Sequence, residues 1–232
     1  MLLAEKKNTV MEDKRLTLFA GHYGSGKTNI AVNYAMHLAK MGRKVCIADL
    51  DIVNPYFRTK DSASELEALG IDLISPRYAN SNVDLPALPA ESYRLVQDKS
   101  VYGIMDIGGD DRGAYALGRF KEFIKKENNY RMAFVANCYR PLTSTVEDTV
   151  KIMREIEIAS GIKFNCIVNN SNLGCETDAK TVLASLDYIK RLCEATGLPL
   201  WMHTVEKSVA GELQDLPVLA LTLQKKYFDL PV

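Results

Sequence analysis

RLTLFAGHYGSGKTNIAVNYAMHLAKMGRKVCIADLD, residues 15 to 51, is the stretch on which the fold turns. It opens with a short apolar run (15–20), passes through a glycine-rich turn, continues with helical spacing over 26–42, and returns to a second apolar run (44–49) that ends in acids. Within it Gly21, Gly26, Lys27 and Thr28 satisfy GxxxxGK[ST] at every fixed position, after a strand and at the mouth of a helix. Such a loop must let several backbone N–H groups converge on an anion, which requires residues that tolerate positive φ and close approach; Gly21, Gly24 and Gly26 supply them. The following helix adds its positive end. Lys27 then reaches the β- and γ-phosphates as a point charge, and the Thr28 hydroxyl completes the coordination of Mg²⁺. The expected nucleotide-binding segment is therefore Gly21, His22, Tyr23, Gly24, Ser25, Gly26, Lys27, Thr28 and Asn29. A glycine-rich turn that merely happens to hold a lysine leaves the flanking strand and helix unexplained.

The same alternation continues along the chain. Strands are expected at 15–20, 44–49, 71–75, 101–107, 131–137, 164–170 and 199–205, with helices near 26–42, 62–69, 90–98, 114–127, 143–160, 177–196 and 216–229. Repeated βαβ units of this kind predict a three-layer α/β fold, a mostly parallel central sheet of about seven strands flanked by helices, and the apolar continuity of the strands implies that both faces of the sheet are covered. Thr143 or Ser144 is placed to cap a helix that ends at Gly161, and Thr177 one that ends at Gly197. At 232 residues one domain suffices, spanning 15–232 behind a flexible segment 1–14. The stretch from Tyr78 to Pro89 is the longest without periodicity and is expected to be a mobile or partner-facing loop.

Composition narrows the partners. Lys plus Arg equals Asp plus Glu at 29 each, so no broad field favours nucleic acid or an acidic membrane. The five cysteines, Cys46, Cys138, Cys166, Cys175 and Cys193, form no CxxC pair and read as reduced core residues. No secretory leader and no membrane-spanning apolar run is recognisable, so a cytoplasmic protein is expected. The C-terminal LPVLALTLQKKYFDL has too thin a basic face for an interfacial anchor and is expected to pack on the sheet.

Parallel sheets bind ligands at the carboxyl ends of their strands, so acids that serve a metal should end neighbouring strands. Asp49 and Asp51 follow KVCIA, and Asp106 follows VYGIM. Carboxylates buried there are costly without a cation or hydrogen-bond donors close by; for Asp51 capping a helix is the other role.

With these residues in place the chain resembles the MinD/ParA/CobQ-type branch of P-loop NTPases, the SIMIBI class with a deviant phosphate loop. The likeness is most specific from the phosphate loop to the Asp-x-Asp element, extends through MDIGGD and IVNN, and spans residues 15 to about 221. It implies ATP/ADP and Mg²⁺ as ligands. By resemblance, Asp49 would position the attacking water and help hold the magnesium shell, with Lys27 as its catalytic partner, and Asp106 would hold a magnesium-bound water. Gly109 would sense the γ-phosphate as a switch glycine beside Asp51, and Asn169 would face the base with Asn170 as its rival. Both asparagines equally suit satisfaction of strand-end backbone groups. Many members carry a second lysine where this chain has His22, and it crosses a dimer interface to the partner's nucleotide. Histidine, with an ordinary pKa of about 6.5, is no fixed positive charge at neutral pH. Either His22 and Tyr23 make different contacts or dimer-dependent hydrolysis is weakened, and Arg58 and Arg112 are substitutes unless they are simply solvated. DIVNPYFR (51–58) reads as a switch segment or as a plain turn.

The leading expectation is a cytoplasmic Mg²⁺-dependent ATPase with slow basal turnover that acts as a nucleotide-dependent switch on a protein partner, with nucleotide-dependent homodimerisation beside it. The alternatives are an ATP-dependent ligase or kinase for a small metabolite, and a non-catalytic nucleotide-binding module. Neither nucleic acid nor a stable membrane anchor is expected.

Overall fold

Short apolar runs separated by longer helical ones suit parallel pairing, because a helical crossover can return the chain to the end of the sheet where the previous strand began. A computed structural model describes residues 12–51, 59–75, 90–109 and 111–223. Its eight strands are β1 (Leu16–Ala20), β2 (Val45–Leu50), β3 (Asp72–Ile74), β4 (Tyr102–Ile107), β5 (Tyr130–Ala136), β6 (Cys166–Asn169), β7 (Leu200–Glu206) and β8 (Val218–Leu221). They lie in the order β3-β2-β4-β1-β5-β6-β7-β8, and every pairing is parallel. After β1 the chain builds the sheet on one side through β2, β3 and β4, then crosses to the other side from β5 onward. The order reverses at β1, and open parallel sheets bind ligands at the carboxyl end of such a reversal.

The helices are α1 (Lys27–Lys40), α2 (Ala63–Ala68), α3 (Arg94–Gln97), α4 (Asp111–Gly118), α5 (Lys121–Glu127), α6 (Val146–Ser160), α7 (Ala179–Ala184), α8 (Leu186–Thr196) and α9 (Lys207–Ala210). Two apolar clusters sandwich the sheet. Leu16 and Leu18 of β1 face one, with Leu117, Phe120, Met153 and Leu192 from α4 to α8. Phe19 faces the other, with Ile30, Tyr34 and Leu38 of α1. Successive strand residues point to opposite faces, so a strand covered on both sides is apolar throughout. The fold is thus the expected three-layer α/β architecture, and none of its helices, among the described residues, is long and apolar enough to cross a membrane.

Several boundaries differ from expectation. The stretch 216–229 does not begin as a helix: Val218–Leu221 is the edge strand β8, paired with β7, and residues 224–229 lie outside the described set. A four-residue apolar run has no period of its own. Here it is fixed by the open edge of β7 and by Asn33, whose amide bonds both Thr222 N–H (2.8 Å) and Thr222 O (3.0 Å). Thr145, rather than Thr143 or Ser144, caps α6 through Asp148 N–H, and Asp178, rather than Thr177, caps α7 through Thr181 N–H. Residues 114–127 form two helices, α4 and α5, broken at 119–120. The stretch 177–196 is likewise broken at Ser185, whose hydroxyl bonds Val182 O and accepts from Asn169 Nδ2. Gly161 and Gly197 end α6 and α8 at positive φ, as expected. Residues 1–11, 52–58 with Arg58, and the Tyr78–Pro89 loop lie outside the described residues. Glu12 O accepts from the buried Arg131 Nη2 at 2.8 Å.

Candidate nucleotide-binding site

The loop between β1 and α1 is held by its own backbone and by side chains that follow β5 and β6, Arg140 and Asn170. Ser25 N–H donates to His22 O (3.1 Å), and the buried Lys27 Nζ reaches the same carbonyl (3.3 Å). Gly26 is the N-cap of α1 at φ 90°, with no side-chain cap and no acid in the first turn. No side chain therefore caps the start of α1, the end at which a helix attracts anions. Any side chain at Gly26 would meet the Asn170 amide. That amide donates to Ser25 O (2.6 Å), its Oδ1 accepts from Thr204 (2.7 Å), and the Asn170 backbone N–H donates to Ala136 O (2.8 Å). Asn170 thus ties the phosphate loop to the ends of β5, β6 and β7.

The carboxylates arrive by register. Asp49 and Asp106 are direct partners at the ends of β2 and β4. Asp49 is buried and its Oδ1 accepts from Asp51 N–H at 3.0 Å. Asp106 is fully buried; Thr59 donates to its Oδ2 (3.4 Å), while Oδ1 has no hydrogen-bond partner among the described residues. Burial pushes the Asp106 carboxyl up to about 6, against the pull of the Lys27 ammonium and the Thr28 hydroxyl, and Asp51 adds to the rise. A carboxylate kept in this condition beside a lysine and a threonine suits an oxygen-seeking divalent cation. Among the described residues no three His, Cys, Asp or Glu side chains gather as a metal cage; Mg²⁺ commonly takes one or two carboxylates together with phosphate oxygens and water. The residues present therefore fit Mg²⁺ delivered with a polyphosphate.

Gly109 packs directly on the phosphate loop: a Cβ there would stand 2.6 Å from Tyr23 N and 3.0 Å from His22 C. The His22 ring folds back, its Nδ1 2.9 Å from Tyr23 O. Arg112 falls in α4, and its side chain lies outside the described set.

A cavity of about 520 Å³ opens over these elements, lined by Gly24, Gly26, Lys27, Thr28, Asn29, Asp51, Arg140 and Asn170. The rest of its wall comes from the β6–α7 connection (Asn172, Gly174, Cys175, Thr177), the end of β7 (Val205, Glu206), and Leu221 and Leu223. Asn169 does not line it. Its Nδ2 donates to Ser185 Oγ (2.8 Å) and meets His203 Nδ1 (3.0 Å), and its Oδ1 accepts from Ser171 N–H (3.1 Å). An amide nitrogen only donates, so His203 Nδ1 is the acceptor, in keeping with burial that holds the His203 imidazole below its ordinary pKa. Cys46 and Cys166 are buried thiols pushed up to about 12 by desolvation, whereas Cys175 is exposed and on the cavity wall. Of the wall residues beyond the loop, Asp51 and Asn170 were site candidates from the sequence; the others were not. Their only signal was position after a strand end, and β8 had been read as helix.

No protein-family model matches the chain, and no curated protein matches it. Solved structures do match. The cell division protein FtsY of Thermotoga maritima aligns over 84% of this chain and 63% of its own, at 18% identity and a TM-score of 0.53. The signal recognition particle 54 kDa protein of Aeropyrum pernix K1, solved in complex with GDP, aligns over 86% of this chain and 43% of its own, at 18% identity and a TM-score of 0.52. FtsY of Mycoplasma mycoides aligns over 84% and 62%, at 17% identity and a TM-score of 0.53. The chain spans less than two thirds of the length of each of these structures. At these identities the likeness is one of architecture: this chain has the three-layer α/β fold of the P-loop NTPases.

Proposed function

We propose that the chain is a Mg²⁺-dependent ATPase of the cytoplasm that works as a nucleotide-dependent switch on a protein partner. One juxtaposition carries the reading: the uncapped start of α1 and Lys27, which suit a polyphosphate, stand beside the buried Asp106 carboxylate with its unpartnered oxygen, which suits a cation. The loop amides and Lys27 bind and orient the phosphates, acting as fixed charge where negative charge develops. When bound, Mg²⁺ would be held by the Thr28 hydroxyl and Asp106, directly or through water, and would neutralise phosphate oxygens. Asp49 orients the attacking water, and its hold on Asp51 N–H links that task to the start of the 51–58 segment. Gly109, packed on Tyr23, reports an occupied γ-phosphate position to α4, and a surface that alters there is what a protein partner or a second copy of the chain would read.

The test is titration of the purified chain with fluorescent ATP and GTP analogues, with and without Mg²⁺, alongside phosphate-release assays. Saturable Mg²⁺-dependent binding and slow release are expected, tighter for ATP. Absence of binding to either nucleotide refutes the reading, and tighter GTP binding replaces ATP within it.

A further inference from the structure

Resting on the nucleotide-binding reading above, we propose that Arg140 is a second protein cation of the polyphosphate site, supplied in cis by the turn between β5 and α6. The phosphate loop itself contributes Lys27 alone, because its second position holds His22, whose ring nitrogen is turned back onto Tyr23 O. Arg140 reaches the same loop from the neighbouring strand: its Nε donates to Gly24 O at 2.9 Å, and it lines the cavity together with Lys27 and Thr28.

The turn that presents it is rigid. Arg140 N–H donates to Asn137 O (3.2 Å), and Arg140 O accepts from Thr143 N–H (3.0 Å). Thr143 Oγ1 also bonds Asn137 O (2.7 Å), and Asn137 Oδ1 holds Tyr139 N–H (3.0 Å). Asn137 and Thr143 are both buried. The backbone of Arg140 is therefore pinned on both sides, while its side chain is only half-buried and projects to the cavity.

Arg140 differs from several arginines of the chain in having no carboxylate beside it among the described residues. Arg15 pairs with Glu127, Arg94 with Asp72 and Arg191 with Asp187. Among the described residues no carboxylate pairs with Arg140, and Nη1 and Nη2 make no hydrogen bond. A guanidinium offers five donors in a fixed fork. With Nε on Gly24 O, the two terminal nitrogens remain for phosphate oxygens, the anion this geometry matches best. Bracing the loop explains Nε; it does not explain a cation left uncompensated at the mouth of an anion cradle.

Two variants separate the roles. Arg140→Gln keeps a donor for Gly24 O and removes the charge, whereas Arg140→Lys keeps the charge. Affinity for Mg²⁺ with ATP, and with GTP, is measured by titration at low and high salt, with thermal melting to verify folding. The Gln variant is expected to bind about tenfold or more weakly, the range for a hydrogen bond to a charged group, and the Lys variant to stay close to wild type. The deficit of the Gln variant should shrink at high salt, since screening removes the advantage of the charge. Wild-type affinity in the Gln variant, or equal losses in both variants with no salt dependence, reduces Arg140 to a brace and overturns the proposal. Should the Gln variant not fold, Arg140→Met takes its place and the salt dependence of its deficit decides. A wild-type chain that binds neither nucleotide fails the underlying reading as well, and the two failures are thereby distinguished.

Discussion

Asp106→Asn isolates the electrostatic cost of the candidate cation site. In the folded chain the Asp106 carboxyl lies at about 6 against an ordinary 3.8, chiefly because burial penalises its charged form. The native state therefore keeps this proton to higher pH than the unfolded chain does. Stability from this group is fully present below about 3.8 and is lost as pH rises through the window up to about 6, above which the loss is complete. A shift of about two units corresponds to about 3 kcal/mol, at 1.36 kcal/mol per unit. Asparagine cannot ionise, so the variant should match the wild type near pH 4 and exceed it by up to about 3 kcal/mol at pH 7, roughly 6–12 °C in melting temperature for a domain of this size. Asp148 and Asp178, held below the usual carboxylate range by hydrogen bonds from Lys151 and Thr181, act with the opposite sign. Both proteins share them, so they cancel in the difference. The measurement is urea unfolding followed by circular dichroism from pH 4 to 8, free of nucleotide and Mg²⁺. Parallel stability curves for the two proteins would refute the idea of a carboxylate held at a cost. With Mg²⁺ and nucleotide added, the wild type should recover stability that the variant does not.

Lys27→Ala should lower nucleotide affinity by about 1.5–3 kcal/mol, the range for a hydrogen bond to a charged group; calorimetric titration that finds no change would remove the loop from the site. Asp49→Ala is expected to retain nucleotide and lose hydrolysis, so equal phosphate release in variant and parent contradicts its role. Asn170→Ala strips the brace from Ser25 O and the shorter of the Thr204 hydroxyl's two acceptors, leaving it Asn169 O at 3.3 Å, costing about 1–2 kcal/mol of folding stability and weakening nucleotide binding. Unfolding midpoints equal to wild type would show that the loop holds its shape unaided.

The glycine-rich loop between β1 and α1 and seven of the strands were legible because both signals are local. A strand covered on two faces is apolar throughout, and GHYGSGKT has its meaning fixed by what flanks it. Each of those seven strands lies within two residues of its expected place. Val218–Leu221 was not legible as a strand, because what makes it one is the free edge of β7 and the amide of Asn33, both remote in sequence. The caps at Thr145 and Asp178 slipped by one residue or two, since neighbouring Thr and Ser are chemically equivalent candidates until the turn geometry chooses. Asn169 and Asn170 stand side by side at the end of a strand and so point to opposite faces. Alternation alone does not say which face holds the cavity; the structure places Asn170 on its wall and commits the Asn169 amide to Ser185 and His203. Arg140 carried no motif at all, and only the packing of β5 beside β1 brings it to Gly24.

The scaffold beneath the cavity is made of amides. Asn137 and Asn172 exchange hydrogen bonds, Asn172 holds Asn170 O, Asn170 holds Ser25 O, and Asn169 meets a histidine kept neutral by burial. The amides take up no proton on mild acidification, and burial holds the histidine neutral to lower pH than an ordinary imidazole. On the proposed reading, acidification would reach the cation through Asp106, while the amide frame beneath the β1–α1 loop keeps its charge. Metal dependence and phosphate grip are separable by acid: one should fade at mildly low pH while the other persists.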